Sequence, residues 1–307
     1  MTNKIVAIQG NHPSKLNPIT DTSIFLGHEI QKKYKLYYYD PKDLSVINSK
    51  VVAYGFFIKF NYLKKKFYKI IKKQKLDLSK CKFILIRQDP PFNLEYISAT
   101  YILDTIKNKV KIINNPTSIR NVSEKLYSAK YQKFMPDTIF TQDINEIRRF
   151  FKIHKKVILK PIHSYSGNDI HLLNKFNLKR ILQFIKQHDH IMCQKYLPKI
   201  SKGDKRVFLI NGKVCGAISR VPKKGSFLSN MSKGAKPINI KLTNQENKIS
   251  KLIAKDLKKE KIYFAGIDFI DQKLNGDINV TSPTGLKTLF DLSGINLAKT
   301  FWKELKA

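Results

Sequence analysis

The chain has 307 residues, of which 42% are hydrophobic, and it carries 58 Lys and Arg against 23 Asp and Glu, a formal net charge of +35. This length predicts about two domains with enough apolar content for a substantial core. No apolar run approaches the roughly 20 residues that span a bilayer, so we expect no membrane segment. The scattered Cys81, Cys193 and Cys215 have no metal-ligand spacing and indicate reduced thiols in a cytoplasmic protein.

The high positive charge has two interpretations. Clustered Lys and Arg bind nucleic-acid phosphates, which favours a functional basic surface. However, lysines occur along the whole chain, together with abundant Asn, Ile, Tyr and Phe, a composition that A/T-rich codons also produce. Charge alone does not decide between them, and we do not expect nucleic acid to be the partner.

In the N-terminal part, strands alternate with helices. Strands are predicted at 4–8, 35–40, 82–89 and 111–115, and helices at 21–34, where Ile24, Leu26 and Ile30 have helical spacing, and at 94–108. Residues 60–74 form a basic amphipathic segment, and 4–8 is a first strand rather than a signal peptide. This alternation predicts an α/β fold with a mostly parallel sheet, whose ligands bind beyond the strand ends, where "RQDPPF" falls.

After residue 119 the pattern becomes richer in strands. Helices are predicted at 121–131, 178–188 (with Leu178, Ile181, Leu182 and Ile185 on one side) and 246–260, and strands at 156–162, 170–173, 191–197, 263–270 and 277–283. Asn211-Gly212 predicts a tight hairpin turn within 205–221. Residues 222–239, rich in Gly, Ser and Lys, are the least ordered candidate.

Oxygen ligands gather in "GIDFIDQKLNGDINVTSPTG", residues 266–285. A turn at Asn275-Gly276 would leave Asp268 far along the strand, whereas a turn centred on Gln272-Lys273 sets Asp268 opposite Asp277, with Asn279 on the same face. Three oxygen donors on one face suit Mg²⁺. The polar outer face of an ordinary hairpin remains the alternative.

Other polar residues follow apolar elements. Lys160 ends the strand "VILK" before the turn "SYSGND", which could present backbone N–H groups to phosphates, although a lysine beside a buried strand commonly extends to solvent. "CQKYLP" is the kind of segment that holds an adenine. Lys205, Arg206 and Arg220 could stabilise oxyanions, or carry ordinary surface charge.

Taken in order, these motifs resemble those of bacterial glutathione synthetase, within the ATP-grasp ligases. "RQDPPF", "GDKRV" and "INVTSPTG" are the most specific, and the resemblance covers nearly the whole chain. It implies a parallel-sheet N-terminal domain at 1–119, a lid subdomain at 120–192 and a catalytic subdomain at 193–307 with a mobile loop at 222–239. It also implies a homotetramer.

The resemblance further implies ATP-dependent joining of γ-glutamylcysteine and glycine through an acyl phosphate, with two Mg²⁺, or Mn²⁺ instead. The residues implied to hold the nucleotide are Lys125, Lys160, Gly167, Gln194, Lys195, Tyr196, Leu197 and Lys205. Those implied to bind metal are Asp268, Asp277 and Asn279, and those implied to stabilise the transferred group are Arg206 and Arg220. The substrates are implied to face Asp21, Ser23, Arg87, Asp89, Asn230, Ser282 and Thr284.

The chain departs from the family pattern at several of these positions. Asp277 stands where the family has glutamate, and one extra residue lies between it and Asp268. The phosphate-covering loop keeps only Gly167, and Leu228 replaces an arginine ahead of Asn230. Gln88 replaces a basic residue. The loss of positive charge near the substrate carboxylates leaves a second hypothesis open. In it the chain is a ligase of the same architecture that joins another pair of substrates, such as a glutamate ligase. A nucleic-acid binder on a degenerate ligase fold is a third.

Overall fold

The computed structural model describes residues 4–307, which form three β-sheets with helices packed on them. The first sheet has seven strands: β1 Ile5–Gln9, β2 Lys35–Tyr39, β3 Leu44–Ile47, β4 Lys50–Phe60, β5 Tyr68–Asp77, β6 Phe83–Ile86 and β7 Lys111–Ile113. Its helices are α1 Thr22–Ile30, α2 Leu94–Asp104 and α3 Pro116–Asn121. As predicted, Ile24, Leu26 and Ile30 of α1 are buried.

The first sheet is mixed rather than mostly parallel. Strands β2, β1, β6 and β7 run parallel, as predicted, but β4 pairs antiparallel with β2, β3 and β5. The basic amphipathic segment becomes edge strand β5, because it is joined to β4 by a loop too short for a crossover helix. Its apolar Leu76 is buried while Lys69, Lys72 and Lys73 are exposed.

The second sheet is antiparallel, with strand order β10-β9-β11-β8: β8 Thr138–Thr141, β9 Val157–Pro161, β10 His171–Leu173 and β11 Ile191–Lys195. Helices α4 Ile144–His154 and α5 Leu178–His188 accompany it. The predicted face of α5 is partly wrong, because Leu178 and Leu182 are 42% and 48% exposed, while Ile181 and Phe184 are buried. The Phe184 ring packs between His171 and His188 and so determines which face turns inward.

The third sheet has strand order β14-β13-β12-β15-β16: β12 Asp204–Ile210, β13 Lys213–Val221, β14 Lys236–Asn239, β15 Phe264–Ile270 and β16 Lys273–Asn279. Helix α6 Asn244–Lys259 connects β14 to β15, and helices α7 Leu286–Ser293 and α8 Leu297–Leu305 follow β16. The Asn211-Gly212 turn is confirmed, since Ile210 pairs with Lys213 and both turn residues have positive φ. Trp302 of α8 donates its indole N–H to Leu26 O of α1 at 2.9 Å, which ties the first and third sheets together.

The helix predicted at 121–131 is absent as a single α-helix. Helix α3 ends at Asn121, and 3₁₀ turns at Leu126–Phe134 follow, kinked at Tyr131. The Ser128 hydroxyl donates to Lys125 O at 2.6 Å, the kind of side-chain bond that competes with regular helix geometry. Lys125 therefore lies at the start of a tight turn. None of the helices within residues 4–307 is both long and apolar enough to cross a bilayer.

Candidate functional site

A cleft of about 850 Å³ lies between the second and third sheets, and we call it the first cleft. Most of the residues predicted for nucleotide, metal and group transfer line it: Lys125, Lys160, Gly167, Gln194, Lys195, Tyr196, Leu197, Arg206, Arg220, Asp268, Asp277 and Asn279, and Asn230, predicted to face the substrates, lines it as well. They come from six strands and four loops, so the fold brings together residues that are up to 154 positions apart, from Lys125 to Asn279.

Two buried lysines flank Asp277 in the first cleft. Lys160 Nζ on β9 donates to Gln194 Oε1 at 3.0 Å and to Asn275 O at 2.9 Å, and it lies 3.8 Å from Asp277 Oδ2. Lys125 Nζ donates to Ser164 O at 2.7 Å and lies 3.7 Å from Asp277 Oδ1. Burial lowers the pKa of Lys160, although Asp277 opposes this shift. Lys160 Nζ is thus held by neutral oxygens, including Asn275 Oδ1 at 2.9 Å, and both ammonium groups lie beyond hydrogen-bond distance of the Asp277 carboxylate.

The arginines of the first cleft form a buried network with two aspartates. Arg206 donates to Asp268 at 2.5 and 2.8 Å, and Arg220 donates to Asp204 at 2.8 and 2.5 Å. Arg220 also lies 3.0 Å from Asp268, so the two pairs are joined. Burial disfavours the Asp268 carboxylate, but Arg206 and Arg220 together outweigh it and hold its pKa at about 2.

The hairpin of β15 and β16 reaches the predicted register by an unexpected route. The turn consists of Asp271 and Gln272, both with positive φ, rather than the predicted Gln272-Lys273. A register shift between Ile267 and Phe269 then restores the predicted alignment, since Gly266 pairs with Asn279, which sets Asp277 opposite Asp268.

Gly276 explains why the shift occurs there. Its φ is +88°, in the left-handed region that favours glycine, and a Cβ at this position would lie 2.5 Å from Met192 Cε on the second sheet. The extra residues of β16 therefore lie at a glycine, where no side chain has to be packed against the second sheet.

The donors on this hairpin suit a magnesium ion. Asp268, Asp277 and Asn279 line the same cleft, and Asn279 Nδ2 donates to Gly266 O at 3.1 Å, which orients the side chain. Residues 4–307 contain no cluster of three or more His, Cys, Asp or Glu arranged for a cation. Two carboxylates and one amide oxygen fit Mg²⁺, which completes its coordination with water and phosphate oxygens.

Lys205 does not reach the first cleft. Adjacent residues of a strand face opposite sides, so with Arg206 in the cleft Lys205 points away. Its Nζ lies 2.8 Å from Glu246 Oε2 on α6, a carboxylate that is fully buried. Lys205 therefore anchors helix α6. The prediction that placed Lys205 in the site together with Arg206 was wrong, because the two side chains point to opposite sides of the strand.

A second cleft, of about 1380 Å³, opens beside the first. Asp21, Asp89, Asn230, Ser282 and Thr284 line it, as predicted for substrate-facing residues. Ser23 and Arg87 lie behind this wall: Arg87 is 6% exposed and donates from Nε to Ser23 Oγ at 3.2 Å. Burial lowers the pKa of Arg87 and raises that of Asp21.

Gln88 does not point into either cleft. It is buried beneath the strand ends, where its Oε1 accepts a hydrogen bond from Gln9 Nε2. The missing basic side chain at this position therefore removes no charge from the cleft walls.

The two clefts meet at a junction, defined by the residues that line both: Glu124, Tyr165, Ser166, Arg206, Arg220, Asn230 and Asn279. A group held in the first cleft and a molecule held in the second would approach each other here. Both arginines predicted to stabilise the transferred group lie at this point.

Three residues of the site were missed. Glu124 Oε1 accepts from Val280 N at 2.9 Å and from the N–H and hydroxyl of Thr281 at 3.1 and 2.8 Å. Asp204 and Asn275 bind Arg220 and Lys160, respectively. Glu124 stands directly before Lys125, and Asp204 lies within the motif "GDKRV" directly before Lys205, and that adjacency was the available signal.

The loop 222–239 covers part of the first cleft through Phe227, Leu228, Ser229 and Asn230. It contacts the turn after β9 at Gly167, whose φ is +70° and where a Cβ would clash with Asn230 and lie 3.6 Å from Leu228 Cδ2. The glycine kept in the phosphate-covering loop is thus the point at which the two loops touch.

Structural comparison identifies the fold. D-cycloserine synthetase DcsG has a TM-score of 0.66 at 11% identity, covering 98% of this chain and 99% of that one. D-alanyl-alanine synthetase A from Vibrio cholerae has a TM-score of 0.63 at 13% identity, covering 100% and 98%. The ATP-grasp ligase PsnB also matches, with a TM-score of 0.64 at 13% identity, covering 100% and 99%. These likenesses confirm the ATP-grasp architecture.

Sequence comparison is more specific. The model of the prokaryotic glutathione synthetase N-terminal domain matches residues 5–120, and that of the ATP-grasp domain of the same family matches residues 124–294. A glutathione synthetase of Brucella melitensis is 35% identical, covering 98% of each chain, and one of Agrobacterium fabrum is 33% identical, covering 99% of this chain and 96% of that one. The chain belongs to the prokaryotic glutathione synthetase family.

Proposed function

We propose that the residues of the two clefts carry out the reaction of this family, the ATP-dependent joining of γ-glutamylcysteine and glycine to give glutathione, ADP and phosphate. The observation that carries this assignment is the junction, where Arg206 and Arg220 line both clefts. An acyl phosphate forms where a nucleotide and a carboxylate meet, and fixed cations stabilise the charge that develops there.

The first cleft holds the nucleotide in this proposal. Lys125 and Lys160 bind its phosphates, because they are buried and their present carboxylate neighbour is 3.7–3.8 Å away. Residues 194–197 hold the adenine along the end of β11, and Gly167 brings its loop against the covering segment. Lys205 does not bind the nucleotide in this proposal, because its ammonium group binds Glu246.

Asp268, Asp277 and Asn279 would hold the magnesium, and we propose two ions, with Mn²⁺ able to replace them. When bound, the ions would neutralise charge on the terminal phosphates. Asp277 lies between the two lysines and is the more accessible of the carboxylates, at 24% exposure of its side chain against 6% for Asp268.

The second cleft holds the substrates. Asp21, Asp89, Ser282 and Thr284 line it, and Arg87 supports it from behind with Ser23. The cysteinyl carboxylate attacks the terminal phosphorus of ATP, ADP leaves, and the amine of glycine then attacks the acyl carbon and displaces phosphate. Arg220 and Arg206 stabilise the oxyanions of both steps, Asn230 contacts the reacting groups, and the loop 222–239 excludes water.

We infer domains at 1–119, 120–192 and 193–307, a homotetramer, and a cytoplasmic location. Light scattering on the purified protein tests the oligomeric state directly.

The experiment that tests the function is Mg²⁺-dependent ADP release, with γ-glutamylcysteine and glycine each supplied or omitted. We expect ADP and glutathione in equal amounts only when both are present. ATP turnover that ignores either substrate would instead indicate a ligase joining another pair. Absence of turnover with any amino-acid acceptor would refute an enzymatic function.

A further inference from the structure

Tyr165 stands at an unusual place in the cleft system. Two residues, Glu124 and Tyr165, line the first cleft, the second cleft and a smaller cavity of about 360 Å³ between the 90–92 turn and the 162–165 loop. The Glu124 carboxylate is occupied by three hydrogen bonds from Val280 and Thr281. Tyr165 is 37% exposed and projects a large aromatic ring among polar cleft walls.

The backbone around Tyr165 is held firmly. Lys125 Nζ donates to Ser164 O at 2.7 Å on one side, and Asn168 N donates to Tyr165 O at 3.0 Å on the other. Ser166 and Gly167 have φ of +54° and +70°, which closes a tight turn directly after the tyrosine. The ring is therefore presented to the junction by a fixed turn rather than by a loose loop.

The opposite side of the turn meets the covering loop. Gly167 lies against Asn230 and Leu228 of the loop 222–239. Leu228 is apolar and lines the first cleft, and Tyr165 lines both clefts, so two non-ionic side chains border the space that Arg206 and Arg220 also line. Apolar surface beside the charged groups of a closed site keeps water from the reacting groups while leaving the charges in place.

We propose that the Tyr165 ring closes the junction against water and so couples ATP consumption to peptide-bond formation. This inference rests on the proposed function. In the productive step the glycine nitrogen bonds to the acyl carbon, the bond from that carbon to the phosphate oxygen breaks, and the amine loses a proton to solvent. In the wasteful step a water oxygen takes the place of the nitrogen, returning the free carboxylate and phosphate.

The test measures ADP and glutathione in the same reaction for the full chain and its variants. Tyr165→Ala should raise the ratio of ADP to glutathione several-fold and release ADP from ATP and dipeptide when glycine is omitted. Tyr165→Phe keeps the ring and should keep equimolar products. Tyr165→Leu, which retains part of the bulk, should lie between them.

His163→Ala is the matched control, because His163 is an exposed residue of the same loop that lines neither the first nor the second cleft. It should leave the products equimolar. Equimolar products from Tyr165→Ala would overturn the inference, and so would equal uncoupling by Tyr165→Phe, which would assign the effect to the hydroxyl. Failure of the unmodified protein to make glutathione would instead refute the proposed function.

Discussion

Replacing Asp204 by asparagine tests the buried network of the first cleft. Asp204 is 2% exposed, and both of its carboxylate oxygens accept hydrogen bonds from Arg220, at 2.8 and 2.5 Å. The change Asp204→Asn keeps the shape of the side chain and removes its charge. It leaves the guanidinium groups of Arg206 and Arg220 sharing the single carboxylate of Asp268.

The expected loss of unfolding free energy is about 3 kcal/mol, the lower end of the cost of removing one partner from a buried ion pair. The lower end applies because Arg220 retains Asp268 at 3.0 Å and the asparagine oxygen still accepts one hydrogen bond. Arg220 also loses one of its two anchors at the junction. A displacement of about 1 Å would lower kcat by up to roughly 10²-fold.

Urea denaturation and steady-state kinetics measure the two effects. The control is Asp271→Asn, the same chemical change in the exposed Lys199–Asp271 pair, whose atoms are 2.6 Å apart. Asparagine tolerates the positive φ of this turn residue, so the control should lose less than about 1 kcal/mol. Equal losses in the two variants would refute the claim that the buried network stabilises the fold.

Three further outcomes are expected. Lys160→Met should raise KM for ATP strongly, whereas Lys205→Met should lower the urea midpoint and leave KM for ATP unchanged. A similar change in KM in both variants would contradict the conclusion that Lys160 points into the first cleft and Lys205 away from it. Gln88→Lys should destabilise the protein by burying a charge beside Gln9 without changing KM for the dipeptide, and a large KM change would place residue 88 at the substrate. The lowered pKa of Asp268, about 2 against an ordinary 3.8, adds about 2 kcal/mol of stability that is complete above pH 3.8 and lost as pH falls towards 2. In Asp268→Asn, the unfolding free energy measured with urea should lack this part of its dependence on pH. An unchanged dependence on pH would contradict the prediction.

The sequence predicted the order of elements well where a local signal was strong. Asp21 precedes α1, and its side chain accepts from Ile24 N as an N-cap should. The Asn211-Gly212 turn fixed a hairpin because both residues tolerate positive φ. Alignment of Asp268 with Asp277 was also correct, although the turn and the compensating shift at Gly276 were not foreseen.

What the sequence left open depended on contacts between distant segments. Gln88 looked like a lost substrate charge because its partner, Gln9, is 79 residues away. Lys125 lies in the first cleft with its ammonium group bound to Ser164 O, a contact across 39 residues that no local pattern shows. The direction of the Lys205 side chain, in contrast, needed no distant contact. Neighbouring residues of a strand face opposite sides, so the sequence alone could have predicted that Lys205 points away from Arg206.

The charges of the first cleft explain why a strongly basic chain collects aspartates there. Five basic and four acidic side chains line the cleft: Lys125, Lys160, Lys195, Arg206 and Arg220 against Glu124, Asp204, Asp268 and Asp277. The cleft therefore carries only one excess positive charge, while the chain as a whole carries +35. Arg206 and Arg220 are already paired with Asp268 and Asp204, so Lys125 and Lys160 cannot by themselves neutralise the several negative charges of a nucleotide triphosphate. Divalent cations would supply the remainder, and the carboxylates of Asp268 and Asp277, which offset part of the basic charge of the cleft, are the groups that would hold them.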